Sequence, residues 1–236
     1  MSLKYKRILL KISGEMLAGK GEFGINFDAV KVVAKEISAI KKMGVEIAIV
    51  VGGGNIFRGR FVRNKEIDKA TADYMGMIST MLNAMALQSI LEQEEKIGTR
   101  ILSAITMMEV AEPYIRRRGI RHLEKNRITI LACGSGNPYF TTDTAAVLRA
   151  LELHCDVILK MTKVDGVYSA DPEKDKNAKK YDKLSFREAL VQDIEVMDST
   201  AFTLCMKNNL PIKIFKFEKG NLKKAVEGKE IGTLVS

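Results

Sequence analysis

Absences narrow this 236-residue chain before any motif does. No apolar run approaches the roughly 20 residues that a bilayer-spanning helix requires, so a membrane protein is not expected. The opening stretch, Met1 to Arg7, is polar and basic, without the apolar segment and small-residue cleavage site of a secretory leader. Cysteine is scarce. Cys133, Cys155 and Cys205 are odd in number and far apart, which suits neither a disulfide framework nor a zinc site, and a reducing cytoplasm is the expected setting. The two histidines, His122 and His154, stand in no spacing that would build a Ser-His-Asp or Cys-His nucleophile. No Ser/Pro-rich linker divides the chain, so a single domain over 1–236 is expected. A hydrophobic content of 46% with 28% charged residues is ordinary for a chain that buries a sizeable core.

What is present begins with charge. A formal +9 implies affinity for anions, without choosing among nucleic acid, acidic lipid and small phosphorylated molecules. The densest basic stretch, "RRRGIRHLEKNR" (Arg116 to Arg127), holds no aromatic residue on which a base could stack. It reads as a solvated, phosphate-tolerant surface rather than a nucleic-acid site.

Strand and helix patterns alternate from end to end. Lys6 to Ile12 reads as a buried strand, and Asp28 to Met43 as a helix stopped by Gly44. "VEIAIVVGGGN" is a β-branched strand that breaks into three glycines. A long helix from near Thr71 to Gln93 carries Met75, Ile78, Leu82 and Met85 on one face, with Met77, Met81 and Ala84 on its flank. The second face is open equally to an oligomer contact or to ordinary core packing. "TRILSAI" is a strand, followed by a helix through Val110 and Ile115. "RITILACGSGNP" repeats the strand-to-glycine break, a helix spans about Thr144 to Glu152, and "DVILKM" is the next strand. Ser185 to Gln192 and Ser199 to Lys207 read as helices and "IKIFKF" as a late strand. This alternation defines an α/β fold with a mainly parallel sheet covered by helices on both faces.

In such sheets ligands bind beyond the carboxyl ends of the strands. Four strand ends carry unusual residues: "KISG", "VVGGGNIFRG", "ACGSGNPYFTTD" and "LKMTKVDGVYSADP". Glycine after a buried strand lets backbone amides approach an anion with no Cβ in the way. Three such turns, each near a Lys or Arg, point to phosphate. One of them imitates a Walker loop, since Gly14, Gly19 and Lys20 fit G-x-x-x-x-G-K. Gly21 stands where Ser or Thr should bind Mg²⁺, no helix can start through "GEFG", and "IAIVV" ends in Gly52 rather than Asp. The Walker reading fails. The useful cations are instead Lys11 and Lys160, each at the end of an apolar strand, where an ammonium is costly to bury without anionic company. Two lysines converging on one place suit phosphoryl transfer, in which positioning and charge neutralisation do most of the catalysis. Sequence alone leaves open whether Lys160 points into the site.

Together "KISGE", "GGGNIFRG", "DYMGM", "GNPYFTTD", "LKMTKVDGVYSADP" and "MDSTAF" occur in an order that resembles the amino acid kinase family, in its bacterial uridylate (UMP) kinase branch. The likeness runs from "YKRILLKISGE" to "IGTLVS". It implies a three-layer αβα sandwich and ATP-dependent phosphorylation of UMP with Mg²⁺. It also implies a homohexamer activated by GTP and inhibited by UTP. By this resemblance Lys11, Ile12, Ser13 and Gly14 line the ATP phosphates, and Lys11 and Lys160 stabilise the moving phosphoryl group. Gly53 contacts UMP, while Gly54 and Arg58 lie on the ATP phosphate side, close to the acceptor phosphate. Asp73 holds the UMP ribose, and Ser135, Gly136, Asn137, Pro138, Tyr139, Phe140, Thr141 and Thr142 wrap the uridylate. Thr162, Tyr168 and Asp171 surround adenosine, and Asp143 and Asp198 orient the lysines and Mg²⁺-bound water. The loop Gly19, Lys20, Gly21, Glu22, Phe23 and Gly24 corresponds to a segment linked to GTP activation. Ser135 stands where Thr is frequent and Tyr139 where Phe is, and Arg116 to Arg118 is more basic than the family pattern. No residue set dedicated to a metal is implied. Two rivals remain: a sibling kinase for a carboxylate or carbamate, and a nucleotide- or nucleic-acid-binding regulator on the same fold. The first would not need "DYMGM" or "GNPYFTTD"; the second would not need Lys11, Lys160 and Asp143.

Overall fold

The computed structural model describes residues 3–21, 23–58, 67–170, 175, 177–194 and 197–236. In chain order the elements are β1 (Arg7–Ile12), α1 (Phe27–Lys41), β2 (Glu46–Val51), α2 (Lys69–Gln93), β3 (Thr99–Ser103), β4 (Glu112–Pro113) and α3 (Arg116–Glu124). They continue with β5 (Ile128–Ala132), α4 (Thr142–Glu152), β6 (Val157–Thr162), β7 (Val167–Tyr168), β8 (Lys180–Tyr181) and β9 (Lys183–Leu184). The last are α5 (Phe186–Val191), α6 (Ser199–Asn208), β10 (Ile212–Lys216), α7 (Asn221–Val226) and β11 (Thr233–Val235). Among the described residues no helix is long and apolar enough to cross a membrane.

The main sheet runs β4-β3-β5-β2-β1-β6-β10-β11-β9. Its strand pairs are parallel except β10 with β11. The strand that precedes each of the four unusual turns therefore lies in one contiguous block, β5-β2-β1-β6. Because side chains alternate across a strand, Ile8, Leu10 and Ile12 of β1 and Ile47, Ile49 and Val51 of β2 pack with α1, α2 and α7. Leu9, Ala48, Val50 and Ile158 pack on the other face with α3, α4, α5 and α6. This is the expected αβα sandwich.

One expectation changes. A helix through Val110 and Ile115 does not form. Pro113 lies there, and it forces the preceding residue toward an extended conformation. Glu112–Pro113 accordingly joins the sheet as β4, and α3 begins only after Ile115, whose φ of −126° is extended. The basic run is thus itself largely helix, with His122 buried against Glu112. On α2 the choice left open by the sequence is decided. Met77, Met81 and Ala84 enter the core, whereas Met75, Ile78, Leu82 and Met85 are between 37 and 48% exposed. The sequence pattern also omits the short strands β4, β7, β8, β9 and β11 and the helix α7.

Leu10 is fully buried in a central strand. Leu10→Ala should lower unfolding free energy by about 2–5 kcal/mol, read from a denaturant titration; a loss under 1 kcal/mol would mean that β1 is not at the centre of the core.

Candidate active site

Parallel pairing brings two lysines side by side. In the β1–β6 ladder Lys11 is the direct partner of Lys160, as Leu9 is of Ile158. Both ammonium groups therefore rise from the same face, the one covered by α4 and α6. Their repulsion is met by Asp143, in the first turn of α4. Its Oδ1 lies 2.7 Å from Lys11 Nζ and its Oδ2 2.8 Å from Lys160 Nζ, with side-chain exposures of 12% for Lys11, 15% for Lys160 and 16% for Asp143. A carboxylate there also suits the positive end of the α4 dipole.

Burial works against the charge of Asp143, but Lys11 and Lys160 together outweigh it and hold its carboxyl below the ordinary aspartate value of 3.8. For Lys160 burial wins. Aided by the charge of Lys11, it pulls the ammonium below the ordinary 10.5 in spite of Asp143.

The head of α4 separates two cavities. Thr141 caps the helix by accepting from the amides of Asp143 and Thr144. Thr141 and Thr142 line a cavity shared with Gly53, Gly54, Asp73, Met77, Gly134 and Phe140. Asp143, the next residue, lines a second cavity of ≈ 600 Å³ with Lys160, Asp198 and an apolar wall that includes Leu190, Ile194, Met197 and Phe202. Asp198 caps α6 through the Ala201 amide and accepts from the hydroxyls of Thr141 and Thr144, fastening the heads of α4 and α6 together.

The glycine turns sit where a side chain would not fit. A Cβ on Gly14 would come 2.4 Å from Asn55 Oδ1, and one on Gly53 2.8 Å from the Gly76 carbonyl of α2. Gly54 accepts through its carbonyl from Arg58 Nε at 2.7 Å. Arg58 also pairs with Glu15, which meets Lys163 at 2.9 Å. Asp73 near the start of α2 pairs with Lys69 and accepts from the Tyr139 amide at 2.8 Å, docking the 135–142 loop on that helix. Within this loop the Ser135 hydroxyl donates to the Asn137 carbonyl, Gly136 presses on Ala104 and precedes Asn137 and Pro138, and Tyr139 adopts a left-handed φ of 68°.

The expected acceptor residues Gly53, Asp73, Phe140, Thr141 and Thr142 thus meet around one cavity, and Lys160, Asp143 and Asp198 around the other. Ile12 ends β1 and Ser13 leads into the turn at Gly14, both beside Gly52. Thr162 and Tyr168 do not line either cavity. The Thr162 hydroxyl donates to the Val164 carbonyl and the Tyr168 hydroxyl to Asp165. Asp171 and Glu22 lie outside the described residues. Gly19, Lys20, Gly21, Phe23 and Gly24 lie between the turn at Gly14 and α1 and line neither cavity, with Phe23 exposed. Sequence reasoning passed over Glu15, although an acid beside a supposed phosphate turn was a signal. It also passed over Thr144 and the apolar wall, whose residues come from separated segments and carry no motif.

This arrangement places the chain in a class of three-layer α/β phosphotransferases without a Walker loop. Residues 6–216 match the family model described as "Amino acid kinase family". The chain belongs to the amino acid kinase family. Among solved structures it is similar to UMP kinase from Bacillus anthracis, at 39% identity and a TM-score of 0.95 over 98% of this chain and 96% of that one. It is similar to UMP kinase from Ureaplasma parvum at 36% identity and a TM-score of 0.92, over 99 and 100% of the two chains. Uridylate kinase from Archaeoglobus fulgidus matches at 27% identity and a TM-score of 0.76, over 97 and 99%.

A lysine held below its ordinary value loses its proton sooner as pH rises. The pH profile of kcat/KM, which reports the free enzyme, should therefore fall on an alkaline limb with a midpoint below 10.5. Lys160→Arg should move that limb upward, because a guanidinium stays charged. A limb left in place by this substitution would show that Lys160 is not the titrating group.

Proposed function

We propose that this chain phosphorylates UMP to UDP with ATP as donor, the role its uridylate-kinase neighbours' names describe. The observation that carries the reading is the head of α4, where consecutive residues open on two different cavities beside paired lysines. UMP would occupy the cavity of Gly53, Asp73, Thr141 and Thr142, and ATP the one bounded by Lys160, Asp143 and the apolar wall. Vicinal ribose hydroxyls would donate to Asp73, and backbone groups of the 135–142 loop with the Thr142 hydroxyl would complement the carbonyls and N–H of uracil. Gly14 and Gly54 would present amides to ATP phosphates, with Arg58 bridging toward the acceptor phosphate.

The acceptor phosphate is already a dianion near neutral pH, so no strong general base is required. The barrier is repulsion between two anions. Lys11 and Lys160 share one carboxylate and so leave a net positive charge at the junction, where the transferring group would carry its equatorial oxygens. Among the described residues no cluster of three metal-ligating side chains exists, and both oxygens of Asp143 face lysines. The donor set fits a Mg²⁺ that arrives on the nucleotide, with Asp198 as the neighbouring carboxylate able to receive its water. Bound there, the ion would neutralise phosphate charge.

The reading extends to assembly and setting. The exposed row Met75, Ile78, Leu82 and Met85 on α2 supports association of copies, and a homohexamer with GTP activation and UTP inhibition follows the resemblance. Residues 1–236 act as one catalytic domain, and three buried free cysteines suit the cytoplasm.

A coupled assay should register UDP from UMP and Mg-ATP, with CMP, aspartate, glutamate and carbamate as competing acceptors and GTP and UTP as effectors. Phosphorylation of an amino acid or carbamate in place of UMP would overturn the assignment. In the same assay Lys11→Ala should lower turnover by about 10²–10³, the loss typical of one transition-state donor; turnover within threefold of wild type would remove Lys11 from the mechanism. Ile78→Asp combined with Leu82→Asp should yield smaller species in sedimentation without loss of fold, and an unchanged mass would exclude α2 from the interface.

A further inference from the structure

Behind the glycine turns lies a fully buried polar pair. Asn55 and Asn83 both have 0% exposure. Asn83 Nδ2 donates to Asn55 Oδ1 at 2.7 Å, and Asn55 Nδ2 returns a bond to Asn83 Oδ1 at 3.1 Å. Each amide uses its second N–H on a backbone carbonyl. Asn83 holds Gly52 at 2.7 Å and Asn55 holds Gly24 at 2.7 Å. The main chain of Asn55 grips Gly24 again, accepting from its N–H at 2.6 Å. Gly14 packs so closely on Asn55 Oδ1 that no Cβ would fit between them. One helical turn earlier on α2, the Thr80 hydroxyl accepts from the Cys133 amide at 2.8 Å, fixing the end of β5 in the same way.

Four separate segments meet at these amides: the turn after β1, the 52–55 turn, α2 and the loop that ends at Gly24. A buried polar group without partners is costly, so pairing of this completeness specifies one arrangement. The arrangement it specifies is that of Gly53 and Gly54, which follow Gly52 directly and line the acceptor cavity.

We propose that Asn83 and Asn55 are positioning residues for acceptor phosphate, locking the 52–54 turn to α2 and to the 19–24 loop. They touch no substrate. Their effect is to hold the amide of Gly53 where the acceptor phosphate meets it, and that of Gly54 on the donor-phosphate side, without reorganisation. The inference rests on the phosphoryl-transfer reading above, and the two fail differently. Without UDP formation by the wild-type chain that reading falls; with an active wild type, only the variants decide the role of the pair.

Asn83→Leu keeps the side-chain volume and removes both donors; Asn83→Ser is the milder companion. Each should raise KM for UMP at least tenfold in the variant that folds, with kcat lowered less than KM is raised. A purely structural role would instead reduce the active fraction, lowering apparent kcat at unchanged KM, and that result overturns the proposal. Hydrogen exchange on the wild-type chain tests it without a variant. The Gly24 amide, although on a surface loop, should exchange at least tenfold more slowly than the amide of Phe23, and more slowly still with UMP bound. Equal exchange at the two positions, unmoved by UMP, overturns it as well.

Discussion

Two ammonium groups in register on adjacent strands would repel each other, and the site depends on the carboxylate that prevents it. Asp143 stands between Lys11 and Lys160 because α4 begins where the β5 turn ends, and the cap at Thr141 sets the first helical residues against the sheet. Removing Asp143 would leave two uncompensated ammonium groups in a poorly solvated place, at about 3–5 kcal/mol. The trio is also the centre of the proposed phosphoryl transfer. It carries one negative and two positive charges, so it is stable enough to exist without ligand and still attractive to a phosphoryl group. Burial pulls the Lys160 ammonium below its ordinary value, and a bound anion would act in the opposite sense.

Helix α2 serves both sides of the molecule. Its inner face gives the core Met77, Met81 and Ala84, and gives the glycine turns Thr80 and Asn83. Its outer face leaves a row of large apolar side chains in solvent. A helix apolar on opposite sides has little net amphipathicity, so periodicity marks two candidate stripes and cannot say which is internal. The residues that settle it are polar: Asn83 and Thr80 must bond to strand ends, and this turns Met75, Ile78, Leu82 and Met85 outward.

Much of the layout was legible in the chain. Apolar β-branched runs separated by helical periods named the central strands and the main helices, and glycine after a buried strand marked the turns that later meet at the cavities. Lys11 and Lys160 stood out because an ammonium in an apolar strand demands an anion. Less was legible where elements are very short: β7 and β8 have two residues each, too few for any period to register. Near Val110 the apolar spacing suggested a helix, and Pro113 overruled it through its missing N–H and fixed φ.

Local composition determined which segments pleat, which coil and where backbone amides can be laid bare, because those outcomes depend on neighbours a few residues away. Tertiary structure alone decided the strand order β5-β2-β1-β6, the pairing of Lys11 with Lys160, and the burial of Asn55 against Asn83. Each of these joins residues that are distant along the chain. Their relation is set by which faces can be packed dry and which buried charges and amides can find partners, a condition met only once the layers have closed.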